Sequence, residues 1–278
     1  MQKPMEMITS RQNPLVVLTA KLVDRKHRER EGLFRFDGKK LFLEALEAGI
    51  PLYAVLLRES AGEAILRATA PYSLAEDCRL VTLPDDLFDR VSEENSPEGV
   101  IVLARYLTKV HRTMDAAAWQ AEKPAKGAAR VLFLESVRDP GNLGTIIRSA
   151  KAFGVDLVVL SSDCADIYHP RVLRAAMGTM FAQPIVRTPD LAAVIGAYEE
   201  GRVFAATLSD KAVTLGALPF QAGDAVVVGN EGHGLSEAVI SAASHSLFIP
   251  MAQGVESLNA GVAASVLLWE LCRDTGGV

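Results

Sequence analysis

Apolar and polar positions along this chain follow two periods. Some short runs are apolar at nearly every position, such as Leu52-Tyr53-Ala54-Val55-Leu56-Leu57, Val131-Leu132-Phe133-Leu134, Leu157-Val158-Val159-Leu160 and Ala225-Val226-Val227-Val228. Runs of this kind read as strands buried on both faces. Further strands are expected at 32–36, 80–82, 99–104, 185–186, 203–207 and 247–249. The stretches between them carry apolar residues at helical spacing: 14–30, 39–48, 63–70, a helix opened by Pro84, then 142–153, 191–199, a helix after Ser236, and a closing helix at 259–271. Thr9 or Ser10 reads as the cap of the first helix, Asn142 as that of the helix reaching Phe153, and Gly49 as a helix stop. In the second half strand and helix alternate, which predicts α/β architecture with a mainly parallel sheet. The first half reads as a smaller α/β/α module. Residues 107–128 shift to Ala, Lys, Glu and Pro and read as a linker. The expected layout is therefore one domain at 1–106, a linker at 107–128 and a second domain at 129–278.

Composition changes this picture little. The 278 residues are 49% hydrophobic and 23% charged, as expected of a globular protein. The net charge of −5 does not favour nucleic acid, yet Lys21, Arg25, Lys26, Arg28 and Arg30 crowd one stretch of the first helix. A local basic surface coexists with a negative average. Asp24, Glu29 and Glu31 are interspersed, so a plain solvated helix face is the competing reading. The three cysteines have neither metal-site nor disulfide spacing, which fits a reducing cytoplasm. No run is long and apolar enough to span a membrane, and no leader peptide is evident.

Candidate chemistry lies where strands end in glycine-rich or polar loops. After Val228 comes Gly229-Asn230-Glu231-Gly232-His233-Gly234, with Glu231 its only acid. After Ile249 and Pro250 comes a polar loop with Glu256, Ser257 and Asn259, then a helix rich in Ala and Gly. Two such loops at the carboxyl ends of strands predict one ligand pocket built between them. The glycine spacing is not that of a dinucleotide fingerprint and comes late in the chain, which argues against a nicotinamide oxidoreductase.

Three motifs in order, Asn142-Leu143-Gly144…Arg148, Gly229-Asn230-Glu231-Gly232 and Ser257-Leu258-Asn259, resemble those of the SpoU (TrmH-type) RNA ribose methyltransferases of the SPOUT superfamily. Ser10-x-x-Asn13-Pro14 and Gly32-x-Phe34…Asp37-Gly38 resemble the ribosomal-protein-like RNA-binding domain that precedes many of them, although Asp37 stands where family members often carry Glu. The resemblance implies a trefoil-knotted catalytic domain, S-adenosyl-L-methionine as methyl donor and a ribose 2'-hydroxyl of structured RNA as acceptor, ribosomal RNA of the 23S type. Transfer RNA is the alternative, and a non-catalytic RNA-binding protein of the same fold a further one. It implies Arg148, Asn142, Glu231, Ser257 and Asn259 at the reacting side. Thr207, Gly229, Ile249 and Leu258 would hold the donor. It also implies a cytoplasmic homodimer without metal. Arg171 and Arg174 are expected on the RNA side or at the knot, and His169 in a structural role.

Overall fold

The uninterrupted apolar runs do form the strands, and those strands fall into two sheets in a computed structural model that describes residues 6–122, 129–209, 212–255 and 257–274. The chain divides into two units, Met1–Leu107 with Tyr168–Phe181, and Thr108–Ile167 with Ala182–Val278. In chain order the elements are β1 (Glu6–Met7), α1 (Pro14–Lys21), α2 (Arg25–Glu31), β2 (Leu33–Asp37), α3 (Lys39–Glu47), β3 (Leu52–Arg58), α4 (Gly62–Ala68), β4 (Arg79–Leu83), α5 (Asp85–Val91) and β5 (Val100–Arg105). There follow β6 (His111–Thr113), α6 (Ala116–Glu122), β7 (Val131–Leu134), α7 (Pro140–Ala152), β8 (Leu157–Ser161), α8 (Pro170–Ala176) and a 3-10 turn at Met177–Phe181. The remainder is β9 (Ile185–Thr188), α9 (Leu191–Gly196), β10 (Val203–Ala206), β11 (Val213–Thr214), β12 (Ala225–Val228), α10 (Glu237–Ala242), β13 (His245–Phe248) and α11 (Ala260–Asp274).

In the first unit five strands run in the order β1-β4-β3-β5-β2. β5 pairs antiparallel with β2 and β3, while β4 lies parallel to β3 and β1. The helix expected at 14–30 is broken in two, and its cap is Asn13, whose side chain accepts from Leu15 N, rather than Thr9 or Ser10. The break has a local cause. Asp24 caps α2 by accepting from Lys26 N, and the Arg28 guanidinium turns back to the carbonyls of Leu22 at 2.8 Å and Val23 at 2.5 Å. Arg28 is thus buried rather than part of an open basic face, and Arg25 and Arg30 engage Glu29 and Glu31. Asp37 accepts from Arg35 at 2.7 and 2.9 Å, from Ser92 Oγ at 2.8 Å and from Glu93 N at 3.1 Å. This buried pair ties β2 to the end of α5, a structural task for the residue that departs from the family pattern.

Tyr168–Phe181 returns to this unit from between β8 and β9. Tyr168 stacks on Phe34 (4.6 Å between centroids) and Tyr106 (4.2 Å), and Phe181 lies against Phe36. Gly178 N donates to Glu44 at 2.8 Å, and a Cβ at Gly178 would meet Glu44 Cβ at 2.6 Å, so only glycine fits here. His169 caps α8 by accepting from Arg171 N, the structural role expected of it. Arg171 and Arg174 are exposed on α8 in this first unit.

The second unit holds an eight-stranded sheet in the order β11-β13-β10-β12-β7-β8-β9-β6, parallel at every pairing among the described residues. Its central strands β7, β8, β10 and β12 are buried on both faces, which explains their lack of alternation. Residues 108–122, within the expected linker, supply β6 to this sheet and α6 with Trp119 to its core. The remaining linker residues, 123–128, and Glu256 lie outside the described residues.

Candidate functional site

The carboxyl ends of β10, β12 and β13 open on one cavity of about 420 Å³. Thr207, Gly229, Ile249 and Leu258 all line it, together with Glu231 and Ser257. The size falls within the roughly 300–1,000 Å³ typical of small-molecule sites.

The glycine loop gets its shape from its sequence. Asn230 and Gly234 exchange backbone hydrogen bonds at 2.9 and 3.2 Å, and the Asn230 side chain accepts from Gly232 N at 2.8 Å. A Cβ at Gly229 would meet Gly234 carbonyl atoms at 2.5 Å, so glycine is required for so tight a bend. Gly234 sits at φ 66°. Ser236 then caps α10, as expected.

Three of the polar residues named from the motifs form one string. Asn259 Nδ2 donates to Asn142 Oδ1 at 2.8 Å, and Asn142 Nδ2 donates to Glu231 Oε1. Asn259 Oδ1 meanwhile accepts from Gly261 N and Val262 N, so the side chain also starts the last helix. Asn142 does not cap α7. Asp139 does, accepting from Asn142 N at 2.8 Å. A cap three residues earlier places the Asn142 side chain inside the first turn, where it reaches the other two loops. Arg148, further along α7, is exposed and has no hydrogen-bond or ion-pair partner among the described residues. The structure thus brings Asn142, Glu231 and Asn259 together, puts Glu231 and Ser257 on the cavity wall, and leaves Arg148 free.

α11 is packed against α7 through small residues. A Cβ at Gly261 would meet Thr145 Cγ2 at 3.3 Å, and Ser149 and Ser265 hydroxyls meet at 2.8 Å. The Ala and Gly content of α11 therefore permits close helix approach and not burial all round: Val262, Val266 and Trp269 stay 50%, 37% and 46% exposed.

Sequence reasoning passed over the residues that support the site. Glu135 and Ser136 follow β7, Ser161 ends β8 and Asp163 lies in the loop after it. Ser136 Oγ donates to Asp163 at 2.5 Å, Ser161 Oγ at 2.6 Å and Arg138 at 2.9 Å. Burial would raise the Asp163 carboxyl, but hydrogen bonds from Ser136, Ser161 and Arg138 outweigh it and hold the group at about 2. Ser136 is at φ 55°, left-handed for a non-glycine residue. The only sequence signal was their place at strand ends.

A buried hydroxyl without a partner gives a test of ligand fit. Thr207 Oγ1 is such a group among the described residues, and Thr207 lines the cavity. With Glu231 beside it the wall suits a ligand that carries both hydrogen-bonding groups and positive charge. Among the described residues no cluster of His, Cys, Asp or Glu could hold a metal, and no helix is long and apolar enough to cross a membrane.

An α/β sheet, parallel at every pairing among the described residues, thus carries a loop-built cavity with a polar string beside it at its carboxyl edge, where sheets of this kind hold their ligands. Residues 129–269 match the SpoU rRNA Methylase family and residues 13–102 the MRM3-like substrate binding domain. The chain belongs to the SpoU rRNA methylase family. It is 30% identical to the 23S rRNA (guanosine(2553)-2'-O)-methyltransferase RlmP of Bacillus subtilis, over 96% of this chain and 99% of that protein. The AdoMet-bound rRNA methyltransferase from Sinorhizobium meliloti superposes with a TM-score of 0.79 at 26% identity, covering 97% and 98% of the two chains. An RNA 2'-O ribose methyltransferase superposes at 0.78 and 28%, covering 96% and 98%.

Proposed function

We propose that this protein transfers a methyl group from S-adenosyl-L-methionine to a ribose 2'-hydroxyl of RNA, and that the RNA is ribosomal, of the 23S type. The observation that carries the reading is the Asn259–Asn142–Glu231 string beside the cavity, with an unpaired Arg148 on the same helix as Asn142. The donor supplies an activated methyl on a sulfonium, so the protein's work is alignment and charge stabilisation. The backbone of Gly229, Ile249 and Leu258 and the Thr207 hydroxyl would hold it. Glu231 adds negative charge to that wall. Arg148 would stabilise the developing alkoxide and clamp the neighbouring phosphate. Asn142, Ser257 and Asn259 would orient the nucleotide. The first unit, matched to a substrate-binding domain, would select the RNA.

The same reading includes a homodimer, supported by the uncovered Val262, Val266 and Trp269 stripe of α11, and a threaded C-terminal segment. A cytoplasmic setting is supported by the three free, buried cysteines Cys78, Cys164 and Cys272. The test is transfer of labelled methyl to 23S rRNA lacking the modification, followed by mapping of the protected ribose. Failure to label ribosomal RNA while labelling transfer RNA would overturn the substrate. No labelling of either, and no donor binding, would overturn the activity.

A further inference from the structure

We infer that Glu135 is a positioning residue for the donor loop, an inference that rests on the methyl-donor reading of the cavity. Glu135 follows β7, the strand beside β12, and its backbone N–H donates to Val228 O at 3.0 Å, extending the ladder one step past both strands. Its carboxylate then reaches across the sheet edge. Oε2 accepts from Ser236 N at 2.8 Å and Oε1 from Ser236 Oγ at 2.7 Å. Ser236 is the residue at which the glycine loop ends and α10 begins, so this two-point grip fixes the loop's exit. The next residue fixes its entrance: Asn230 Nδ2 donates to Ser136 O at 2.9 Å.

A loop with four consecutive exposed residues from Glu231 to Gly234 has little packing of its own to hold it. Within the loop the Asn230–Gly234 bridge, the Asn230 side chain and the Asn142–Glu231 bond hold the turn, and these two pins fix its ends. Ser136 contributes a backbone carbonyl, which substitution leaves in place, so Glu135 is the pin whose removal isolates the effect. Without it the loop backbone at Gly229 would sample other positions, and donor binding would then require reordering. The Glu135 carboxylate faces Ser236, and Glu135 is not itself a lining residue of the cavity, so the carboxylate's effect on the donor passes through the loop.

The experiment compares wild type, Glu135→Ala, Glu135→Gln, Ser236→Ala and the Glu135→Ala/Ser236→Ala double variant, as full chains. Titration with S-adenosyl-L-methionine is read beside KM and kcat on RNA and the melting temperature. Glu135→Ala is expected to weaken donor binding roughly ten- to hundredfold, the size of a lost hydrogen-bond pair to a charged group. KM for the donor should rise in step while kcat falls less. Glu135→Gln keeps one acceptor for Ser236 N and should recover most of the affinity. The double variant should bind about as weakly as Glu135→Ala alone, because the one bond to Glu135 that Ser236→Ala removes is already lost with the carboxylate. Unchanged donor affinity in Glu135→Ala, or additive losses in the double variant, would overturn the inference. So would a lower melting temperature with no change in KM, since that marks stability alone. Wild-type protein that binds no donor would instead overturn the methyl-donor reading, and the inference with it.

Discussion

At the scale of the residue, Arg148 stands apart because it is charged, exposed and without a partner among the described residues, while Asn142, Glu231 and Asn259 engage one another. Arg148→Ala is expected to leave donor titration unchanged and to slow single-turnover methyl transfer about a hundred- to thousandfold, the loss of ~3–4 kcal/mol usual for a removed oxyanion partner. Arg148→Lys should recover little, since an ammonium lacks the planar fork. Near-normal transfer by the alanine variant would remove Arg148 from the reaction. Asp163 gives a pH signature. Its folded carboxyl is depressed to about 2 from an ordinary 3.8, so its contribution is complete above the unfolded value and fades as pH falls from about 4 towards 2. The melting-temperature gap between wild type and Asp163→Asn should therefore be largest near neutrality and close over that acid window. A gap independent of pH would mean that the carboxylate's charge does not matter. The grouping of Asn142, Glu231 and Asn259 was legible in the sequence because each stands in a motif, and their side chains do meet. Glu135 and Asp163 were not, because their partners Ser236 and Ser136 are brought to them by the sheet and not by the chain.

At the scale of the element, periodicity located helices and strands better than it located their ends. Asp139 and Asn142 are both good caps three residues apart, and only the structure decides for Asp139. The Asp24 cap inside a helical pattern split the basic helix in two and buried Arg28, and no periodicity announces that break. β6 and β11 are too short, at three and two residues, to leave a pattern. The small residues of α11 serve its close approach to α7. What remains is an apolar stripe at 262, 266 and 269, spaced for one helix face. Trp269→Glu on that face is expected to convert a homodimer to monomer in light scattering at micromolar concentration. A wild-type protein already monomeric there would exclude the dimer, and a charged variant that stays dimeric would exclude this face.

At the scale of the whole molecule, parallel α/β architecture was legible from uninterrupted apolar strands, and the pocket from two loops at strand ends. The grouping of Tyr168–Phe181 was not, since long-range packing leaves no periodic trace. That grouping bears on any attempt to divide the protein. A chain starting at Ala128 would keep Tyr168, Val172, Leu173 and Phe181 while losing Phe34, Phe36 and Tyr106, the rings that Tyr168 and Phe181 stack upon or flank. Such a truncated chain is expected to aggregate in size-exclusion chromatography, and one in which Tyr168, Val172, Leu173 and Phe181 are replaced by polar residues should elute cleanly. Equal solubility of the two would show that the segment makes its own packing.

The same returning segment also sets an order of events during synthesis. Residues 1–107 leave the ribosome first, yet the aromatic face of Phe34 and Phe36 is closed only by a stretch made some 74 residues later. At about 5–20 residues per second that interval is roughly 4–15 s. Throughout it the earlier-made half is an unfinished body with apolar rings open to water, and it closes only after β7, α7 and β8 of the other half have emerged. The half that is made first is thus completed by a piece of chain that does not yet exist when its own sheet is ready.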